Sequence, residues 1–310
     1  MRNSTQRNVA RPARTGFTVT ELLVVVAIIG LIVALVIPTI GKVRSKSRTL
    51  KCLTNQRTIT MANYTYATSN QSRFASSCTN SGGTLYVNGA DINNGTAHCW
   101  VKAEGPNLVT NQFEKPSALE QGSLYPYIGD VKTYISPDEP TNPLASNVSN
   151  TGTRVRSYSF NALLGITRPE DNKDYDGDFT SAMYGVAPRL SQYNSTTIGT
   201  IKSPQRMMAT VVEDDSEYYN LNGWIIRPQL ASWIDWPAAW RPDAITMSYV
   251  DGSTDSYALS NPDLPTAWDS FGHNYVQPAD AGAGIAVDWK FFRDRLNPGV
   301  IPNSTYLFGN

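Results

Sequence analysis

The stretch GFTVTELLVVVAIIGLIVALVIP, Gly16 to Pro38, decides the fold. From Phe17 to Ile37 it holds twenty-one residues, of which one, Glu21, is ionisable. As a helix rising 1.5 Å per residue this segment measures about 31 Å, the thickness of a bilayer's hydrocarbon core. A carboxylate inside such a segment costs roughly 2.5 to 3.5 kcal/mol on insertion scales. Glu21 therefore calls for a partner, or for a reason to lie at the segment's edge.

The flanks narrow the choice. Residues 1–16, MRNSTQRNVARPARTG, carry four arginines and no acid, and Pro12 works against a stable helix, so they are expected to form a leader outside the fold. After Ile37 the chain reads PTIGKVR, with no small-residue cleavage site, which excludes an ordinary secretory signal. A plain single-pass anchor accounts for the length but not for Glu21. Lys42, Arg44, Lys46, Arg48, Lys51 and Arg57 outnumber the leader arginines, so the positive-inside count does not set the orientation.

Gly16-Phe17-Thr18-Val19-Thr20-Glu21-Leu22-Leu23, behind a basic leader and ahead of an unbroken apolar run, resembles the type IV pilin and type II secretion pseudopilin superfamily. The resemblance implies cleavage between Gly16 and Phe17 by a prepilin peptidase on the cytoplasmic side, and N-methylation of Phe17. Glu21 then becomes the fifth mature residue and Pro38 the twenty-second, where such proteins carry a glutamate and, often, a helix-kinking proline. The new amine at Phe17 gives Glu21 an opposite charge, on its own chain or a neighbour's, in a low-dielectric filament core. A second reading of Glu21 is a cap on the first helical turn, where carboxylates suit the macrodipole. Pro38 is expected to kink or locally melt the helix, or else to end it at the membrane exit.

Residues 42–81 contain neither Gly nor Pro, and Ile40, Val43, Leu50, Leu53, Met61 and Tyr64 recur at helical steps. The helix is expected to run to about Ser69. Its basic residues, Lys42 to Arg57, read as a solvated face or headgroup contact, or as partners for acidic surfaces of adjacent subunits. Charge is segregated: residues 1–90 hold eleven Lys/Arg and one acid, and residues 91–310 hold fifteen Lys/Arg and twenty-five acids, a balance of −10. A membrane-proximal part and a separate soluble part follow, and the apolar segment makes lipid a better counterpart than nucleic acid.

Beyond residue 70 the chain is rich in Gly, Asn, Ser and Thr. NSGGTLYVNGADINNGTAHCW reads as a loop with one short strand. SLYPYIGDVKTYIS, residues 123–136, reads as an aromatic turn and a strand. RVRSYSFNALLG, residues 154–165, and the segment after Pro204 read as strands, and IAVDWKFFRDRL, residues 285–296, as a short amphipathic helix. ITMSYV-DG-STDSYAL, residues 245–259, reads as a hairpin closed by a two-residue Asp251-Gly252 turn. The fold class is α+β: a pilin-like long N-terminal helix packed on an antiparallel sheet with large loops. The partition is leader 1–16, helix 17–70 with its membrane part at 17–38, and a soluble domain 71–310.

A narrower resemblance is to a group of large pilin-like proteins. It rests on Lys51-Cys52-Leu53-Thr54-Asn55, Leu124-Tyr125-Pro126-Tyr127, Ser136-Pro137-Asp138, Ser157-Tyr158 and Val250-Asp251-Gly252-Ser253. Ser136 stands where that group has a cysteine, which removes the usual partner of Cys52, and Ser253 stands where it has a histidine.

Candidate chemistry is sparse. His98 and His273 sit in no nucleophile or metal motif, and no phosphate-binding glycine loop is present, so an enzyme is not expected. Cys78 and Cys99 flank a polar loop and either pair in an oxidising compartment or remain thiols; with His98 they lack zinc spacing. In EDNKDYDGD, Asn172, Asp174, Asp176 and Asp178 offer alternating oxygens for calcium, as resembles the C-terminal loop of major pseudopilins. Met183 replaces the bidentate glutamate of an EF-hand, so a solvated acidic loop competes with a metal site. Trp233, Trp236 and Trp240 either pack on the sheet or form an exposed aromatic patch.

The resemblance implies a structural subunit of a type II secretion pseudopilus or a type IV pilus-like filament. The precursor is expected in the inner membrane, single-pass, with its C-terminal domain extracytoplasmic and its filament periplasmic or on the surface. Implied partners are the prepilin peptidase, other copies or other pilin-like subunits, the inner-membrane assembly platform and membrane lipid. A competing reading is an uncleaved, membrane-anchored extracytoplasmic binding protein.

Overall fold

The computed structural model describes residues 16–81, 86, 87, 90, 91, 99–103, 119–140, 156–165, 195, 197–213, 223, 224, 226, 227, 232, 233, 235–241, 243–261, 264, 283–299 and 301. Two compact units emerge, residues 1–47 and 48–310, and the division falls inside one helix, α1, Val19–Ser69.

Runs such as Val24-Val25-Val26 and Ile28-Ile29 are poor helix formers in water. In an apolar medium every backbone N–H and C=O must be satisfied within the segment, and a helix does that. Each residue from Gly16 to Arg44 is exposed. By length and composition α1 is able to cross a membrane. Pro38 lies inside the helix, which neither ends nor melts there. The missing N–H deprives the Ala34 carbonyl of its helical donor. One residue on, the Thr39 hydroxyl donates to the Val36 carbonyl at 2.7 Å.

The second unit is built on a four-stranded antiparallel sheet with residues 254–257 at one edge, 245–249 and 208–212 in the centre, and 158–160 at the other edge. Its strands are β5, Tyr158–Phe160, β6, Met208–Val212, β9, Ile245–Tyr249, and β10, Thr254–Tyr257. Every residue of β5, β6 and β9 is buried, as a sheet covered on both faces requires. Thr246 and Ser248 meet α1, while Tyr249 and Tyr257 meet the C-terminal helix α3, Ala283–Leu296. This alternation follows from the two-residue period of a strand. On the α3 side Tyr257 stacks on Phe291 at 3.6 Å between centroids and hydrogen-bonds Asp288 at 2.6 Å. The same carboxylate accepts from the Ser260 and Asn261 amides, fastening the chain that leaves β10.

Smaller elements surround this core. β1, Ser76–Ser81, pairs in parallel with β4, Cys99–Ala103, and the short β2, Tyr86–Val87, pairs with β3, Ala90–Asp91. The segment expected to be a loop with one strand thus contains more strand than its composition suggests. β7, Ile226–Arg227, pairs with β8, Ser232–Trp233. Residues 123–136 hold no strand. They form a helical turn α2, Tyr125–Ile128, and a 3₁₀ turn, Val131–Tyr134. Pro126 starts α2, Gly129 ends it at φ 71°, and the Asp130 side chain accepts from the Lys132 amide to start the next turn. Local capping overrides the β-prone composition.

The hairpin of β9 and β10 is as read, but its link is longer. Gly252 N–H donates to the Tyr249 carbonyl, and Tyr249 N–H donates to the Ser253 carbonyl. This leaves three residues, Val250 to Gly252, in the turn, with Gly252 at φ 85° as the bulge position of such loops demands.

The tryptophan-rich segment is core. Trp233 is fully buried, stacks on Trp236 at 5.3 Å and touches Phe292 of α3 at 5.9 Å. Arg156 and Glu213 are both buried and lie 3.8 Å apart, with Ser159 hydrogen-bonded to each. A buried pair of this kind gains little over apolar packing, but losing one partner strands the other charge.

Asn161, fully buried at the end of β5, joins three elements. Its amide donates to the carbonyls of Met208 in β6 and Leu296 in α3, and its oxygen accepts from the Leu163 amide. Asn161→Ala should cost roughly 2 to 4 kcal/mol, from about 1 kcal/mol per bond plus stranded carbonyls. Urea denaturation of the full chain checks this; a loss below about 1 kcal/mol would mean that these bonds do not hold the elements together.

Candidate processing and assembly site

The first unit presents the N-terminal junction. Gly16, Phe17 and Thr18 are non-helical and exposed, and α1 begins at Val19. Thr18 and Glu21 form a reciprocal cap. Glu21 Oε2 accepts from the Thr18 amide and hydroxyl, both at 2.8 Å, and the Thr18 hydroxyl accepts from the Glu21 amide at 3.2 Å. Threonine followed three residues later by glutamate is the signature of this cap, and TVTE carries it. Of the two readings of Glu21, the helix cap is observed; the charge partner is a separate matter.

Gly16 has an ordinary φ, and a Cβ built there meets nothing within 4 Å. Neither backbone strain nor packing among the described residues asks for glycine at this position.

In the second unit, α1 meets the sheet through a face that mixes apolar and polar residues. Its buried residues are Cys52, Asn55, Gln56, Ile59, Thr60, Ala62, Asn63, Tyr66 and Ala67. The apolar stripe expected to pack is displaced: Leu50 is 63% exposed and Met61 41%. Gln56 donates to the Thr246 hydroxyl at 2.6 Å and accepts from the Thr210 hydroxyl at 2.9 Å. The hydroxyls of Thr60 and Ser248 lie 2.6 Å apart, and those of Thr210 and Ser248 2.5 Å. Asn63 accepts from the Ala75 amide at 2.8 Å. Since an unpaired buried polar group costs about 1 to 3 kcal/mol, hydroxyls on the sheet select polar residues on the helix.

The scattered motifs converge here. The Cys52 Sγ lies 3.1 Å from the Ser136 Oγ, and Asn55 donates to the Ile135 carbonyl at 3.0 Å. The Ser136 amide donates to the Ser157 hydroxyl at 2.9 Å, and Asn55 reaches the Tyr158 hydroxyl at 3.5 Å. Asp138 holds Arg48 at 3.0 Å and Arg241 at 3.6 Å, and Arg241 also donates to Thr49. Gly252 closes on Met61, whose Sδ sits 2.6 Å from where a Cβ would be. Burial raises the Cys52 pKa above the ordinary thiol range, so the group stays a neutral thiol through neutral pH.

The remaining candidates are not resolved by these contacts. Asn172, Asp174, Asp176 and Asp178, together with His98 and His273, lie outside the described residues. Among the described residues no three His, Cys, Asp or Glu side chains are grouped to hold a metal. The strands carrying Cys78 and Cys99 are neighbours, with Ser76 opposite Cys99, but the Cys78 side chain lies outside the described residues. Sequence reasoning missed Gln56, Thr60, Thr210, Thr246 and Ser248. The alternation of ITMSY, with Thr and Ser on one face, held the signal that this face meets polar partners.

Comparison with protein-family models, with curated proteins and with solved structures finds no match.

Two variants probe the seam. Ser136→Cys should form a disulfide with Cys52, raising stability by up to about 4 kcal/mol for a loop of this length. Non-reducing peptide mapping would show the linkage; two alkylatable thiols after oxidation would show that the backbones are misplaced for it. Gln56→Leu should cost roughly 2 to 3 kcal/mol by stranding Thr210 and Thr246, read from the denaturant midpoint. A neutral effect would contradict a register set by these hydroxyls.

Proposed function

We propose that the chain is a pilin-like structural subunit. A prepilin peptidase cuts it between Gly16 and Phe17 and methylates Phe17, and the apolar part of α1 then polymerises into a type II secretion pseudopilus or a type IV pilus-like filament. Residues 71–310 form the filament's outer domain. The mechanism is assembly, not turnover of a substrate.

One observation carries the reading. An exposed, non-helical Gly16–Phe17 bond directly precedes a helix that exposes every residue from Val19 to Arg44. An apolar face of this length needs either lipid or other helices around it. Two further features support processing. Gly16 meets no requirement of the fold, which suits a residue read by a peptidase. The Glu21 carboxylate already accepts from the amide of Thr18, one residue from the amine that cleavage would create. In a desolvated core that ammonium and this carboxylate offset each other's cost. Burial of Trp233 and Trp236 removes most of the exposed aromatic patch on which an anchored binding protein would rely.

Glu21→Gln tests the charge without losing the cap, because a glutamine at this position still accepts from Thr18. Membrane insertion should be unchanged, while sheared-filament yield falls about tenfold or more. Normal filaments from this variant would sink the charge role. Gly16→Val should leave the fold intact and the leader attached; removal of the leader at the normal rate would sink the processing site.

A further inference from the structure

We infer that Lys42, Arg44 and Lys46 form a cationic collar that binds anionic lipid headgroups where α1 leaves the bilayer. The inference rests on the membrane-anchored reading above. All three side chains are exposed, and none holds an ion pair or hydrogen bond among the described residues. Arg48, the next basic residue, is already held by Asp138.

Position along the helix fits a headgroup layer. Lys42 lies about 7.5 Å beyond Ile37 and Lys46 about 13.5 Å, at 1.5 Å per residue. The polar layer begins at the hydrocarbon edge and is about 5 to 8 Å deep on each side. Lysine and arginine stems bridge the remaining distance by lying along the helix. Ile40 and Val43, both exposed, keep apolar surface running into the same zone.

Position around the helix separates lipid from a second copy of the chain. At 100° per residue, Arg44 lies about 200° from Lys42 and Lys46 about 40°. The charges therefore occupy opposite sides of α1. A single docked copy covers one side and rewards a single stripe; in the bilayer, before assembly, a plane of headgroups surrounds the helix and rewards a collar. Two exposed acids are engaged within the chain: Asp243 pairs with Arg241, and Asp251 accepts from the Ser253 amide and hydroxyl.

The test reconstitutes the full chain into phosphatidylcholine vesicles and into vesicles containing a third phosphatidylglycerol. Amine-reactive labelling is then quantified by peptide mass spectrometry against Lys132 and Lys290, which are exposed. Labelling of Lys42 and Lys46 should fall about fivefold in the anionic vesicles and recover in high salt. Equal labelling in both lipids overturns the collar. Protection that follows protein density and ignores lipid charge assigns the residues to a second copy, and also overturns it. Failure of the protein to float with vesicles would instead sink the membrane-anchored reading itself.

Discussion

Gln56 and Thr60 are buried polar residues on a helix, and the rest of the second unit is arranged so that they are not left unpaired. Their partners, Thr210, Thr246 and Ser248, come from the two central strands of the sheet. A one-turn slip of α1 would strand several of these groups at once, each at about 1 to 3 kcal/mol, which is a large share of a domain's net stability. An apolar interface would not resist sliding in this way, because apolar contacts lack direction. The seam thus fixes one axial register. That register brings Cys52 to Ser136, Asn55 to Ile135 and Tyr158, and Asn63 to the chain entering β1. Ser136 lets this corner close by hydrogen bonding, without a covalent link.

The same helix meets a different demand nearer its N-terminus. From Val19 to Arg44 it buries nothing, so its composition answers to surroundings other than its own domain. One continuous helix therefore carries two chemistries, apolar all round at first and later a buried face that mixes apolar and polar residues. The change comes in the basic stretch around Lys42 to Arg48, where the two compact units also divide. The cap of Thr18 on Glu21 gives the apolar part a defined first turn just after the exposed Gly16–Phe17 bond.

Parts of this were readable from sequence because their signals are local. An unbroken apolar run, a stretch free of Gly and Pro, an Asp-Gly between β-prone runs and a late amphipathic segment each found the element expected of them. Other parts depend on partners distant in the chain. The stripe of Leu50 and Met61 has helical spacing but does not face the sheet, because Thr246 and Ser248, nearly two hundred residues on, draw Gln56 and Thr60 inward. Residues 131–134 have strand-like composition, yet the Asp130 cap makes them a 3₁₀ turn. Of the candidate site, Gly16, Phe17 and Glu21 stood out because a lone acid in an apolar run is conspicuous. The seam did not, because threonine and serine in a strand are ordinary.

The central claim is that α1 becomes an assembly element when its leader is removed. The most direct test is the mass of the N-terminal peptide from protein isolated from membranes of its native host. The account predicts a chain that begins at Phe17 with one added methyl group on its amine. Membrane-resident protein that still carries Met1 and the arginines of residues 1–16 would contradict it.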